Sequence, residues 1–441
     1  MPAPRDFEMS APERHVFWTI TSTYWLWLIG GLYFAGPGLG WFLAWQVARA
    51  YYLGPVLPVE QRPPGPLPLA IWAWIGGMLV MLLALLIGHA NFGLDAGQTI
   101  KSAFGWAKGW ALIALFPMAG YALPIRIEVL ARAVCRLARQ TLILLPLFLL
   151  APILHLPSRL WVSPLTVLGG AGDIFFTVII YTIDPETGTA RWQFFAPWAP
   201  AAGIVAVIHF LLARYERDAG WRWAGYVASV MFALLTSSRM ALIALAVLIP
   251  VAKLIGRLNR PGTIFALTPV VVLGSWFAPQ LIALADNAQA AFAGARASSS
   301  RVRAALGRIA AERWQHEAYW FGHGIVERGP HLVEYMPIGS HHTWYGLLYV
   351  KGLVGVIALA VPMAWTFLAT AIAAMRGRVG ELGLAMTLTY LFYSFGENLE
   401  VLTYLAWPAL VAIGISLKPV AQPVQDIDGD SVEPPQQPVF A

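Results

Sequence analysis

Apolar runs of helix length, separated by short polar or Gly/Pro-rich stretches, cover most of the chain. They fall at 16–35, 38–53, 67–88, 106–125, 140–157, 197–213, 223–236, 240–255, 263–281, 343–374, 383–395 and 401–417, about twelve in all. Runs of this length predict transmembrane helices, and none shows the short alternation of a membrane β-strand. The expected fold class is therefore an all-α polytopic membrane protein. Residues 1–281 would form a first helical block with an outward loop at 158–196, and residues 282–342 a long polar loop. Residues 343–417 would form a second block of spans, and 418–441, rich in Pro, Gln, Asp and Val, a disordered tail. The first apolar run begins near Val16 after mixed charges, with no small-residue cleavage pattern behind it, and reads as a retained span. Gly36-Pro37-Gly38 and Arg62-Pro63-Pro64-Gly65-Pro66 punctuate two early connections. In the outward loop, 175–181 and 191–195 flank Asp184-Pro185-Glu186-Thr187-Gly188. Aromatic and β-branched runs around a turn predict a hairpin, with a re-entrant element as the alternative.

Composition supports a membrane setting. Hydrophobic residues make up 58% of the chain and charged residues only 12%, about half the charge of an ordinary soluble domain. The net charge of +6 points to anionic lipid head groups; no RNP-like, zinc-finger or helix-turn-helix pattern supports a nucleic-acid partner. The single cysteine, Cys135, cannot form an internal disulfide. With the N-terminus in the cytoplasm, 17 of the 29 basic residues fall on the cytoplasmic side, and half of the remainder lie in the 282–342 loop. That bias orients the loops at 158–196 and 282–342 outward and the tail inward. Arg132, Arg136 and Arg139 share one helical face of 126–139, which predicts an amphipathic helix on the inner leaflet.

The polar interval from Ala295 to Gly355 concentrates six arginines and five histidines. Four outward points carry candidate chemistry: Arg191 before the span at 197, Arg239 at the tip of a short hairpin, Arg301, Arg303 and Arg308 heading the loop, and His341 closing it. Guanidinium groups stay charged at any working pH and bind phosphate bidentately, so several converging arginines suit a diphosphate. Plainer alternatives stand beside this. Arg239 fits a snorkelling anchor, Arg301, Ala305, Arg308 and Glu312 fit an amphipathic surface stripe, and Arg313 and Arg328 fit solvated side chains. His316, His323 and His331 are too widely spaced for a usual metal site. His341, beside Trp344 and Tyr345 at a membrane mouth, suits a general base, with His342 as its rival. Glu397, Asn398 and Glu400 occupy another outward turn, where a carboxylate could act as an acid, orient the histidine or bind sugar hydroxyls. Asp173 is a weaker candidate of that kind. The outward loops hold no D-x-D pair for metal-bound nucleotide sugars.

In these stretches the chain resembles the O-antigen ligase and Wzy-type polymerase superfamily of bacterial envelope glycan enzymes. Arg191 through Pro197 (RWQFFAP) resembles the family's outward Arg-to-Pro segment, and Leu235-Thr236-Ser237-Ser238-Arg239 its Ser-Arg hairpin. Ser300-Arg301-Val302-Arg303 through Trp314, followed by Phe321-Gly322-His323-Gly324-Ile325, resembles its arginine-bearing helix and G-x-G sequel. His341-His342-Thr343-Trp344 through Gly352-Leu353-Val354-Gly355 resembles its closing histidine signature. His342 stands where Asn is common, and Val350 where a carboxylate is often found, so no role for that acid carries over.

The resemblance implies a GT-C-like membrane fold in the bacterial inner membrane, with a periplasmic active site and neither metal nor nucleotide cofactor. It implies a polymerase of surface polysaccharide that passes a glycan from undecaprenyl diphosphate to the hydroxyl of the next lipid-linked repeat. The alternative is an O-antigen ligase that passes it to lipid A core. Implied partners are the lipid-linked oligosaccharide donor and acceptor, the bilayer, a flippase and a chain-length co-polymerase. His341 would be catalytic, and Arg191, Arg239, Arg301 and Arg303 would hold the diphosphate. Glu397, His342 and Trp344 are further candidates for acid or sugar-binding roles. A transporter of the same lipid is the rival from another class; its marks, broken mid-membrane helices and inverted repeats, are not visible in the sequence.

Overall fold

The computed structural model describes residues 8–54, 56–168, 172–184, 187–294 and 297–419, and the chain over them is mostly α-helical. The N-terminal helices are α1 (Ala11–Thr21), α2 (Thr23–Leu28), α3 (Leu32–Tyr52), α4 (Leu69–Asn91), α5 (Ala96–Lys108), α6 (Trp110–Ala122) and α7 (Ile127–Ile153). After the outward loop come α8 (Ala199–Ala213), α9 (Ala219–Leu235), α10 (Arg239–Ile255), α11 (Pro261–Trp276), α12 (Ala278–Gly294) and α13 (Ala297–Glu317). The chain closes with α14 (Thr343–Ala374), α15 (Arg378–Ser394) and α16 (Leu399–Ser416).

Among the described residues, four helices, α4, α7, α14 and α16, are long and apolar enough to cross a membrane. A fifth crossing is available if α11 and the start of α12, bent by 78°, count as one span. α16 is the axis of the bundle: 89% of its apolar window is buried, against α3, α6, α8 and α15. The other three bury 33–44% of theirs. Their outer faces, including Leu79, Leu83, Ile143, Leu147, Ile357 and Leu368, are exposed and apolar, the surface that hydrocarbon covers.

Several expected spans come out differently, each for a local reason. The run at 16–35 breaks at Ser22 and again at 29–31, where Gly30 takes a positive φ of 73°. The run at 106–125 divides at Gly109 into α5, which buries no residue, and the buried α6. The arginine-bearing segment 126–139 is the first half of α7: its apolar face packs against α1, α8 and α9, and Arg136 and Arg139 stay exposed. Burial there is possible because Arg132 is neutralised by the buried Glu216 at 2.6 Å, while Arg139 covers the Trp221 ring at 4.1 Å. The 282–342 interval is not an open loop either. Its alanine-rich first half completes α12 and builds α13, as a run of strong helix formers should. Of the expected tail, Lys418 is described and donates to the Leu123 and Ile125 carbonyls; 420–441 lie outside the described residues.

The outward loop forms two antiparallel pairs. β1 (Arg159–Val162) pairs with β2 (Thr177–Ile179), and β3 (Tyr181–Ile183) with β4 (Ala190–Trp192), Thr182 opposite Arg191. The second pair is the hairpin that the aromatic runs predict.

α14 is not one continuous helix. Gly352 breaks it with φ 62° and ψ −163°, nine residues below Thr343, or roughly 14 Å at the α-helical rise. The freed backbone groups are satisfied by the segment that follows α13. Leu353 and Val354 donate to the Tyr319 and Trp320 carbonyls at 2.9 and 3.1 Å, and the Tyr349 and Val350 carbonyls accept from His323 and Gly324 at 2.9 Å each. This backbone-on-backbone approach leaves no room for a Cβ at Gly322 or Gly352. Here lies the physical reason for the two glycine signatures. The segment is clamped further by His89 of α4, whose Nε2 lies 3.1 Å from the Gly324 carbonyl.

Arg313, expected as a solvated residue, belongs to this clamp. It bridges Glu317 and Glu327 at 2.8 and 2.6 Å and lies over the Tyr349 ring. His323 is buried, stacked on Tyr349, with Nε2 2.8 Å from Glu317. Arg328 is exposed.

Gly352→Ala would force a side chain into a backbone region reserved for glycine and into the Trp320 carbonyl. It should cost about 2 kcal/mol or more, read as a lower thermal midpoint of the detergent-solubilised protein.

Candidate functional site

The site is assembled where α13, the residues before α14 and the α15–α16 turn meet. α13 reaches α14 through a face of small and apolar residues: Ala305, Leu306 and Ala310 pack with Tyr349 and Val350, and Gly307 sits against the Tyr345 ring. The start of α14 is stitched to the α15–α16 turn. Thr343 Oγ1 donates to the Glu397 carbonyl at 2.6 Å and accepts from the Leu399 N–H at 3.1 Å, and Trp344 Nε1 donates to Ser394 Oγ at 2.9 Å.

Between these elements lies a cavity of about 210 Å³, lined by Arg303, Gly307, Gly339, His341, His342, Tyr345, Phe395 and Gly396. The two histidines have different jobs. His342 is the N-cap of α14: its Nδ1 accepts from the Tyr345 N–H at 3.4 Å, and its ring lies between Tyr345 and Phe395. His341 carries no such duty and lines the same cavity. Burial, aided by the Arg303 charge, depresses its pKa to about 4, so at neutral pH it is the free base. Burial also lowers His342.

Glu397 is 1% exposed. Its Oε2 accepts from Trp198 Nε1 at 3.0 Å, and its Oε1 stands 4.0 Å from Arg303 Nη2 with no hydrogen-bond partner. Burial pushes its pKa up to about 7, against the opposing pull of Arg303 and of the Trp198 hydrogen bond.

The remaining candidates separate by position. Arg303 lines the cavity, whereas Arg301 is exposed elsewhere on α13, because residues two apart on a helix sit about 200° around it. Arg191, on β4, donates from Nη2 to the Thr236 carbonyl at 3.4 Å and lies 3.6 Å from Asp184. This brings it to the α9–α10 turn, where Ser237 takes a positive φ of 50°, Ser238 caps α10 and Arg239 opens it. The next residue, Met240, packs on Gly396 of the cavity wall. Both arginine motifs therefore arrive at the same end of the bundle as His341. Trp344 serves as an anchor through Ser394 and does not line the cavity. Asp173 begins a short 3₁₀ turn. Among the described residues, no three His, Cys, Asp or Glu side chains gather as metal ligands would.

Trp198, Phe395 and Gly396 belong to the site with no mark in the sequence, whereas Tyr345 stands beside His341 there. An N-cap tryptophan or an aromatic in a turn carries no local mark of its partner; only the fold brings Trp198 to Glu397, 199 residues away.

No protein-family model matches the chain, and no curated protein matches it.

Glu397 also controls stability. Its folded-state pKa of about 7 lies above the ordinary 4.5, so the cost of ionising it is absent below pH 4.5, builds between pH 4.5 and 7, and is fully present above 7. Glu397→Gln should therefore raise the thermal midpoint at pH 8, by an amount equivalent to on the order of 3 kcal/mol, and leave it nearly unchanged at pH 4.5.

Proposed function

We propose that the protein transfers a glycan from a polyprenyl diphosphate donor to an acceptor hydroxyl at the outer face of a bacterial inner membrane. The observation that carries this reading is the meeting of Arg303 and His341 on one cavity at the end of an apolar helix bundle, with the buried Glu397 4.0 Å from Arg303. The resemblance of the arginine and histidine stretches to envelope glycan polymerases and ligases points the same way. On this reading the fold is of the GT-C type, and the shorter apolar helices, such as α8, complete the roughly twelve crossings inferred from the hydropathy pattern.

An acceptor hydroxyl attacks the anomeric carbon, the new glycosidic bond forms, and the bond to the diphosphate oxygen breaks. Arg303, with Arg191 and Arg239 at the neighbouring turn, neutralises the charge that builds on the leaving diphosphate. Arg301, on the exposed side of α13, meets the anion outside the cavity. His341 takes the hydroxyl proton, a role open to it because it is neutral at working pH. His342 supports His341 by holding the first turn of α14 in place.

A polymerase is the first choice of acceptor chemistry, since the aromatic outward loop offers flat faces to sugar rings; a ligase using lipid A core is the alternative. A flippase and a chain-length co-polymerase are the partners that such a polymerase would have. Transport of the same lipid is a second reading, favoured by the break in α14. The backbone of 319–324 fills that break, so it lines no passage.

Purified protein given a lipid-linked repeat without lipid A core should yield laddered glycan. His341→Ala should keep donor binding and lose turnover by roughly 10²–10⁴-fold, and Arg303→Ala should weaken donor binding as well. Full transfer by both variants would refute the site, and lipid translocation without glycosidic product would favour the transporter.

A further inference from the structure

The ion pairs of this protein fall into two kinds. Those that fasten helices to neighbouring segments are closed: Arg126–Glu13 at 2.7 Å, Arg132–Glu216 at 2.6 Å and Arg313–Glu327 at 2.6 Å. The pair at the proposed site is open: Arg303 stands 4.0 Å from Glu397, a separation at which the charges attract but no hydrogen bond forms.

The open pair at Glu397 is costly in an unusual way. Its carboxylate is buried, one oxygen is held by Trp198, and the other has no donor. A carboxylate buried with half its acceptor capacity unfilled normally pulls a guanidinium into contact. Arg303 makes no hydrogen bond among the described residues, is 41% exposed, and lines the cavity. Its guanidinium is thus held near Glu397 by charge alone, with its hydrogen-bonding fork unspent.

We infer that Glu397 is an exchangeable counter-ion, which keeps Arg303 at the cavity wall and yields it to a diphosphate. The inference rests on the diphosphate reading of the cavity. A diphosphate oxygen pair offers the bidentate, charge-assisted contact that Glu397 does not make. Once Arg303 turns to it, Glu397 is left buried without a cation and takes one proton from solvent. The other titratable groups around it do not replace Arg303: Tyr393 of α15 is a buried phenol, His341 on the cavity is neutral, and Glu400 further along α16 is acidic. Arg239, on the adjoining turn, is positioned with Arg191 and Thr236. Arg303 now lowers the Glu397 pKa, so its departure raises it further. The bound state holds more protons, and affinity should fall as pH rises above 7.

The experiment is calorimetric titration of the full-length protein in detergent at pH 7.5, in buffers of different ionisation enthalpy. Farnesyl diphosphate and inorganic pyrophosphate serve as separate probes. Because a carboxyl with a pKa of about 7 is already about a quarter protonated at pH 7.5, wild type should take up as much as roughly three-quarters of a proton more than Glu397→Gln, and the Gln variant should bind at least as tightly. Trp198→Phe keeps the ring but removes the hydrogen bond that holds Glu397 ionised, so it should retain affinity while taking up less than wild type. Equal proton uptake by wild type and Glu397→Gln, or a tenfold weaker Gln variant, would overturn the inference while leaving diphosphate binding intact. Binding of farnesyl diphosphate alone would support a lipid-borne ligand, and equal behaviour of pyrophosphate would support the diphosphate group by itself. Binding of neither would overturn the diphosphate reading as well.

Discussion

A helix that breaks in an apolar surrounding must hand its orphaned N–H and C=O groups to something, because hydrocarbon offers no partner. In this protein the break is at Gly352, and the partner is the backbone of 319–324. Four hydrogen bonds tie the polar interval to α14 on both sides of Gly352, and His89 and the Arg313–Glu317–Glu327 cluster hold the tie from the sides. α13 cannot drift once its C-terminal sequel is fixed this way. Through α13 the break also fixes Arg303.

A second constraint is the stitching of Thr343 to the α15–α16 turn. One hydroxyl serves both the Glu397 carbonyl and the Leu399 N–H, so the cap of α14 and the start of α16 share a single anchor. α16 is almost wholly buried, so the anchor is as rigid as the core. The residues around the cavity are therefore held by backbone, while the charges facing it are held loosely. On the diphosphate reading proposed above, this arrangement would let one anion replace another without moving helices. It also explains why adjacent histidines differ. His342 is consumed by the cap, and His341 is left with an unengaged ring beside a cation.

Much of this was legible along the chain. The apolar runs located most helices, the hairpin at 181–192 was visible in its aromatic and β-branched pattern, and Arg303, His341 and Glu397 were singled out before any contact was known. Less was legible where two segments share one environment. Arg132 reads as a surface arginine until Glu216, 84 residues later, is found beside it. Arg313 likewise reads as solvated until Glu327 and Tyr349 close around it.

The sequence by itself determined the apolar helical character of the protein and which residue types stand at each helix end, because hydropathy and capping are local properties. It also determined that a positive, histidine-bearing interval exists. Tertiary structure alone decided how many helices have span length, that α14 breaks, and which of Arg301 and Arg303 reaches the cavity. It alone paired Trp198 with Glu397 and assigned the capping role to His342. Those outcomes depend on which backbone segments approach closely enough to exchange hydrogen bonds and to exclude water, and no stretch of sequence contains its own partner.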